Sequence, residues 1–410
     1  GLVGSEMCIR DRIKRNIIFL FYFFSVLESF ACTSAVISGR VTENGRPLLW
    51  KHRDTSAEQN VVVRFAASEN SYAFVGLVDS RDTKDTAVWA GYNSEGFAVM
   101  NTASYNLKSD TFAVVDKEGV LMKEALGKCR TVKDFSLFLE NYPSVRGVEA
   151  NFGVIDAHGG AAYFEVSNSE IFRFDVKDSP EGYLIRSNYS MAGRKDEGLG
   201  YIRYENAQYL LSPVAAKKGL TPEYITGHVS RSFYHSLLGK DMSRTGDNWV
   251  VDQDFIPRRS SSASVVVEGV NEGENLQMVT MWTLLGYPPC SVVMPVWLSA
   301  PEGLPFLLSR DSTGVSSFCN RVVVLKHQVF PLKWGNGKYY INMELLFGHR
   351  SLGIVPQLIS LEEYVYRESR IFMREAEKNG GFSGLNVSFF MDRISQKILA
   401  AYDRLEISVE

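Results

Sequence analysis

From Thr33 to Asn101 the apolar residues fall in short β-branched and aromatic runs, "TSAVIS", "RPLLWK", "NVVVRFA", "YAFVGLV", "TAVWAGY" and "GFAVMN". Turn residues separate them, as in "ENG" at Glu43 to Gly45 and "NSEG" at Asn93 to Gly96. The spacing predicts antiparallel hairpins rather than the strand and helix alternation of a dinucleotide fold. Two helices follow, "KEGVLMKEALGKC" and "TVKDFSLFLENY", the second capped by Thr131 and stopped by Pro143. Strands resume with "ANFGVIDA", "GAAYFEV", "IFRFDV" and "GYLIRSN".

Two amphipathic helices are then predicted, "GLGYIRYENAQYLL" and "TPEYITGHVSRSFYHSLL", the latter opened by Thr221 with Pro222 at its first position. "SASVVVEGV", "LQMVTMWTLL" and "CSVVMPVWL" return to strands. From about Pro356 apolar residues recur every three or four positions in "SLEEYVYRESRIFMREAEK" and "FFMDRISQKILAAYDRLE", which predicts helices. The pattern therefore gives an α+β chain: two antiparallel sheets with helices outside them in one domain, residues 32–355, and a helical C-terminal extension, residues 356–410.

The N-terminus follows a different logic. Gly1 to Arg12 fits neither a targeting signal nor a fold and looks like a translated sequencing adapter, so it is set aside with Cys8. Lys14 and Arg15 then lead into "IIFLFYFFSVL", Ile17 to Leu27, shorter than the roughly 20 residues of a membrane span. A cleaved export signal is the favoured expectation, with an uncleaved anchor as the alternative. Ser29 and Ala31 are small at the positions a signal peptidase inspects, which places the cut between Ala31 and Cys32. Residues 1–31 would then be removed, leaving a secreted or periplasmic chain that begins with a cysteine. Lipid attachment to Cys32 is the competing fate. Its signal usually carries Leu where Ser29 stands and a small residue where Phe30 stands, and an acylated cysteine is no nucleophile.

After that cut about 380 residues remain, ample for a large core. The chain is 45% hydrophobic and 22% charged with a formal net charge of -3, ordinary globular values with no electrostatic footprint for nucleic acid or an anionic membrane. Four cysteines follow the leader, Cys32, Cys129, Cys290 and Cys319, spaced for neither a zinc site nor a disulfide framework. A Cys290–Cys319 disulfide and buried free thiols stay equally open. His228 and His235 lie two turns apart on one predicted helix without carboxylates in step, so they read as packing or surface residues, and no metal is expected. His158, in "DAHGG", reads as structural.

A thiol on an N-terminal residue carries its own base, because a neutral α-amine, with a pKa near 8, takes the proton directly or through water. The site also needs a group to orient the amine and donors for a tetrahedral oxyanion. "LLWKHRDT" ends the second strand with Arg53 and Asp54, where a hairpin returns them beside Cys32, and "GFAVMNT" ends another with Asn101. Their plain alternatives are a surface Arg53–Asp54 pair and a strand-end turn residue. Tyr72, Trp89, Tyr92 and Tyr105 supply aromatic surface from which an apolar acyl pocket can be drawn.

At these residues the chain resembles a known family. "ACTSAVISGRVTENGRPLLWKHRD" is similar to the start of the cysteine branch of the N-terminal nucleophile (Ntn) hydrolases: choloylglycine hydrolases, penicillin V acylases, carcinine hydrolase and the acyl-CoA:6-aminopenicillanate acyltransferase, with a dipeptidase branch nearby. The resemblance is clear from Cys32 to Asn101 and weaker to about Trp297. It implies a four-layer αββα sandwich and hydrolysis or transfer of an acyl group at a linear amide through a thioester. It puts Cys32 on the nucleophile, Asp54 on the aspartate that binds the cysteine's amine and thiol, and Asn101 on the oxyanion donor. "LIRSNYS" puts Asn188 on a second site asparagine, and "FIPRRSSSASVVV" puts Arg259, or less readily Arg258, on an arginine ahead of a core strand.

Lys51 departs from the arginine of bile salt hydrolases, keeping the charge without the planar fork. Lys51, Arg53 and Tyr92 are the expected substrate contacts. The resemblance implies no cofactor, a small-molecule acyl amide (N-acyl amino acid, bile-salt or penicillin side-chain type) as partner, no nucleic acid, no membrane role beyond export, and leaves a dimer or tetramer open. The alternatives are a dipeptidase and a non-catalytic lipoprotein anchored through Cys32.

Overall fold

The computed structural model describes residues 32–107, 115–300, 302–332, 339–348 and 353–409. The expected leader and its cut after Ala31 lie outside the described residues. In chain order the first strands are β1 (Thr33–Ile37), β2 (Leu48–Asp54), β3 (Asn60–Phe65), β4 (Phe74–Asp79), β5 (Ala90–Asn93) and β6 (Ala98–Ala103). Helices α1 (Glu118–Lys128) and α2 (Val132–Asn141) come next, then β7 (Ala150–Ile155), β8 (Ala161–Val166), β9 (Ile171–Asp175) and β10 (Tyr183–Arg186). Helices α3 (Tyr201–Ala215) and α4 (Pro222–Gly227) precede the short strands β11 (Tyr234–His235), β12 (Lys240–Asp241) and β13 (Trp249–Val251). The chain closes with β14 (Ser261–Glu268), β15 (Thr280–Leu285), β16 (Met294–Val296), α5 (Ser317–Val329), β17 (Tyr340–Asn342), α6 (Met343–Phe347), α7 (Ile354–Lys378) and α8 (Val387–Val409).

Two antiparallel sheets carry the fold. One is a seven-stranded meander in the order β3 to β9, and the other has six strands ordered β10-β1-β2-β14-β15-β16. They meet face to face, with the Ser34 hydroxyl 2.8 Å from the Tyr163 hydroxyl of β8. The period-2 pattern explains the layering. In β6, Ala98 and Met100 join the large core, while Val99 and the preceding Phe97 join a second core with Leu121 and Met122 of α1 and Phe135 of α2. The opposite face of the six-stranded sheet is covered by α3, α4, α5 and α7, whose buried residues Leu211, Ile225, Val322 and Val365 belong to the large core. The architecture is a four-layer αββα sandwich with two antiparallel sheets.

The C-terminal helices are part of this body rather than an appendage, since Leu358, Val365, Ile394, Ile398 and Tyr402 share the large core. Helix α2 starts as the sequence predicts, with Thr131 and Asp134 closing a capping box. Several expected elements are shorter, the strand "CSVVMPVWL" keeping only Met294–Val296 as β16. "TAVWAGY" keeps only its end as β5, and the helix predicted over 221–238 stops at Gly227, giving way to a turn of 3-10 helix and the β11–β12 hairpin. Tertiary contacts override propensity there. Thr226 and Arg231 bond Glu362 of α7, and Ser230 sits 2.9 Å from the Ser264 hydroxyl, which pins the segment against β14. His228 and His235 therefore share no helix face.

Candidate active site

Cys32 stands at the head of β1, the strand flanked by β2 and β10. The β1–β2 ladder begins with Thr33 opposite His52. By strand alternation Cys32 then shares the inter-sheet face with Ser34, Lys51 and Arg53, while Thr33, His52 and Asp54 point to the helix side. The cysteine is buried, at 6% exposure, in a polar neighbourhood, within electrostatic reach of Lys51, Arg53, Tyr105 and Arg203.

Lys51 donates to the Asn101 side-chain oxygen at 2.6 Å and to the Trp89 carbonyl at 2.8 Å. This orients the amide: with its oxygen taken by an ammonium, Asn101 presents its NH2 elsewhere as a donor. Burial lowers the Lys51 pKa to about 8, against the opposing pull of Cys32, and Arg53 lowers it further. Arg53 donates to Asn60 at 2.7 Å and lies 4.9 Å from the Trp89 ring centroid, and its pKa is lowered by burial to about 10. The two basic residues of "KHRD" thus frame the cysteine with Trp89 beneath them.

Asp54 faces the helix layer. Its carboxylate accepts from the Ser261 hydroxyl at 2.6 Å and from Arg258 at 3.0 Å. The register between β2 and β14 shifts between Ser261 and Ala263, a bulge that turns Ser261 toward Asp54. Because Ser261 gives its proton to Asp54 and sits 2.9 Å from His52 Nε2, it accepts from His52, which fixes the Nε2–H tautomer. Burial holds His52 neutral, with its pKa lowered to about 4 despite the attraction of Asp54. The unfolded chain takes up a proton near pH 6.5 that the folded chain refuses until about pH 4. Stability from this residue is present above about pH 6.5 and is lost as pH falls toward 4, on the order of 3 kcal/mol in all. Urea titrations across that window should show the slope in the native chain, and His52→Gln should flatten it; an unchanged slope refutes the assignment.

Asn188 accepts from Arg203 at 2.7 Å and donates to the Ala103 carbonyl at 2.9 Å. Arg203, on α3, also donates to the Cys32 carbonyl at 2.6 Å and the Thr33 hydroxyl at 2.9 Å. The sequence reading missed it, although a lone arginine in the amphipathic "GLGYIRYEN" was the available signal.

Other expectations are corrected. Arg258, not Arg259, reaches Asp54. Arg259 instead pairs with Glu58, which also binds Lys326 and His327, and its backbone N–H donates to Asp252. Tyr92 is no substrate contact. Its hydroxyl donates to the Val279 carbonyl and accepts from Leu298 N–H, and the residue is 2% exposed. Of the other aromatic candidates, Trp89 lies under the Lys51 ammonium, Tyr105 is within electrostatic reach of Cys32, and Tyr72 lines a separate surface cavity with Ser68 and Lys128. Cys290 and Cys319 are not joined: Cys32, Cys129, Cys290 and Cys319 are all free and buried. Among the described residues, no cluster of His, Cys, Asp and Glu is placed to hold a metal, and no helix is long and apolar enough to cross a membrane.

No protein-family model matches the chain, and no curated protein does. Solved structures give partial superpositions. An N-acylethanolamine-hydrolyzing acid amidase ortholog from Caenorhabditis elegans aligns with a TM-score of 0.37 and 12% identity, covering 58% of this chain and 92% of its own. Penicillin V acylase from Agrobacterium tumefaciens gives 0.38 and 13%, over 65% of this chain and 86% of its own. A mutant conjugated bile acid hydrolase from Clostridium perfringens gives 0.39 and 11%, over 65% and 92%. Identity and superposition are both low, so the chemistry rests on this chain's own residues.

Proposed function

We propose that this chain, exported and cut after Ala31, is an N-terminal-cysteine amidohydrolase or acyltransferase acting on linear amides of small molecules. The observation that carries the reading is Cys32 at the head of a central strand, in the field of Lys51, Arg53 and Arg203, with Lys51 holding the Asn101 oxygen. In this reading the freed α-amine of Cys32 takes the thiol proton as the sulfur bonds to the acyl carbon. The carbonyl becomes an oxyanion, to which Asn101 donates. Collapse breaks the C–N bond, the ammonium returns its proton to the leaving amine, and a thioester remains. Water or a second amine then resolves it, regenerating the thiol. Asp54, fixed by Ser261 and Arg258, is the group assigned to orient the amine.

Intact mass of the protein as expressed tests the first requirement. A chain starting at unmodified Cys32 supports the reading, whereas a diacylglyceryl adduct or a cysteine still internal to the chain overturns it. Acid quenching during turnover of penicillin V, glycocholate, an N-acyl amino acid or a dipeptide should then trap an acyl adduct on Cys32, and the amide that leaves one names the substrate class.

Lys51 sets a pH signature. Cys32, Arg53, Asp116 and Glu118 are the charged groups acting on it, and its positive charge is present below about pH 8 and lost above. The rate of acylation should fall on the alkaline side from about pH 8, and Lys51→Arg should carry the plateau higher, because guanidinium stays charged. Superimposable pH profiles for the two proteins would count against the Lys51 charge as what holds the Asn101 oxygen during acylation.

A further inference from the structure

The β1–β2 ladder starts at Thr33, and the β1–β10 ladder at Ser34. The carbonyl of the buried Cys32 therefore lies beyond the last pair of either neighbour and needs a donor from elsewhere. Arg203 supplies it, and the same guanidinium bonds the Thr33 hydroxyl and the Asn188 oxygen. Asn188 in turn donates to Ala103 of β6, the strand that carries Asn101. A continuous path runs from the cysteine's backbone through one arginine to the strand of the oxyanion donor.

We propose that Arg203 is the positioning residue of the nucleophile, a clamp that holds the Cys32 backbone in register with the Asn101 strand. The proposal rests on the reading of Cys32 as nucleophile. Once the peptide bond before Cys32 is cut, nothing precedes the residue to restrain it, and a carbonyl tether outside the sheet ladder is what keeps its sulfur in one place. A fork of several donors can serve three acceptors at once, which an ammonium cannot do in this planar arrangement.

The surroundings are shaped for that fork. Arg203 is 1% exposed, and burial lowers its pKa to about 10, with Asp54 and Cys32 pulling the other way and Arg258 adding to the fall. Gly200, at φ +83°, caps α3 directly beneath it, and a Cβ there would come within 2.2 Å of Arg203 Nη2. Glycine is required at this position both by the backbone and by the closeness of the guanidinium.

The test is the pH dependence of iodoacetamide alkylation at Cys32, on protein as expressed, with the N-terminus read from intact mass and labelling mapped by peptide. Arg203→Met should slow alkylation at neutral pH by about tenfold or more and move the midpoint of the profile upward. Arg203→Lys should recover only part, since it restores charge without the fork. Thermal melting accompanies each variant. Should both arginine variants fail to fold, the isosteric Thr33→Val removes an acceptor of the Nη1 arm that holds the Cys32 carbonyl and should give a smaller upward displacement in a folded protein. An arginine that merely fills a buried corner would leave the profile of a folded variant where it was, and that result overturns the proposal. Loss of the clamp and loss of the nucleophile are separable. If Cys32→Ala keeps amide cleavage, the functional reading has failed. If Cys32→Ala is inactive while Arg203→Met labels like the native chain, only the clamp has failed.

Discussion

Cys32→Ala is expected to abolish amide cleavage, and Cys32→Ser to reduce it by at least ~10³-fold, while both fold as the native chain does. The size follows from the absence of a substitute. Cys129 and Cys319 are buried with thiol pKa values pushed up to about 12, and burial raises that of Cys290 as well. None of the three is a thiolate at neutral pH, and none shares the inter-sheet face with Lys51. Serine keeps the proton acceptor of a freed N-terminus but offers a far less acidic nucleophile. The same asymmetry gives an independent readout: iodoacetamide on the folded native chain should add once, at Cys32, and not at all in Cys32→Ala. Alkylation spread over several cysteines, or activity surviving the alanine substitution, removes Cys32 from the chemistry.

Glu362→Ala should be the most destabilising single change outside the site, by ~3–5 kcal/mol in urea unfolding. Glu362 is 3% exposed and accepts from Arg231 at 2.7 and 3.1 Å, from the Thr226 hydroxyl at 2.8 Å and from Val293 N–H at 3.0 Å. Removing it leaves a guanidinium buried without a countercharge. The cost is in the orphaned partner rather than the pair, so Arg231→Met combined with Glu362→Leu should recover most of the loss. By contrast, breaking the Arg46 to Glu377 bridge, whose carboxylate is 40% exposed, should cost at most ~1 kcal/mol. Equal effects at the two pairs would mean that α7 is not fixed to the sheet through Glu362.

Much of the architecture was legible in the sequence because its signals are local. Alternation in "GFAVMN" and the Thr131–Asp134 cap each need only neighbouring residues, and they fix β6 and the start of α2. What escaped depended on distant partners. The stop at Gly227 is set by a glutamate on α7, far along the chain, and the choice between Arg258 and Arg259 by the turn into β14, which the sequence "PRRSSS" leaves undecided. Tyr92 looked like pocket lining because an aromatic beside a turn carries no mark of what its hydroxyl will bond. Arg203 was invisible for the same reason: one charge in an amphipathic helix looks solvated until a carbonyl with no ladder partner is found opposite it. Among the candidate residues, hairpin arithmetic pointed to Arg53 and Asp54, a strand end to Asn101, and only the family resemblance to Lys51, which the structure bonds to Asn101. The clamp and the His52–Ser261–Asp54 chain are products of helix packing and a bulge, which spacing does not encode.

The position of β1 has a consequence for how the molecule is made. It is the first strand among the described residues, yet one of its two neighbours, β10, is synthesised only after the whole seven-stranded meander. The sheet that contains β1 also buries Glu268 against Arg370 of α7, at 2.7 and 2.9 Å. A chain lacking α7 would leave Arg231 and Glu268 without their ion-pair partners Glu362 and Arg370. A chain truncated before Ile354 is therefore expected to expose the helix-side face of the sheet that carries β1 and to lose both pairs at once.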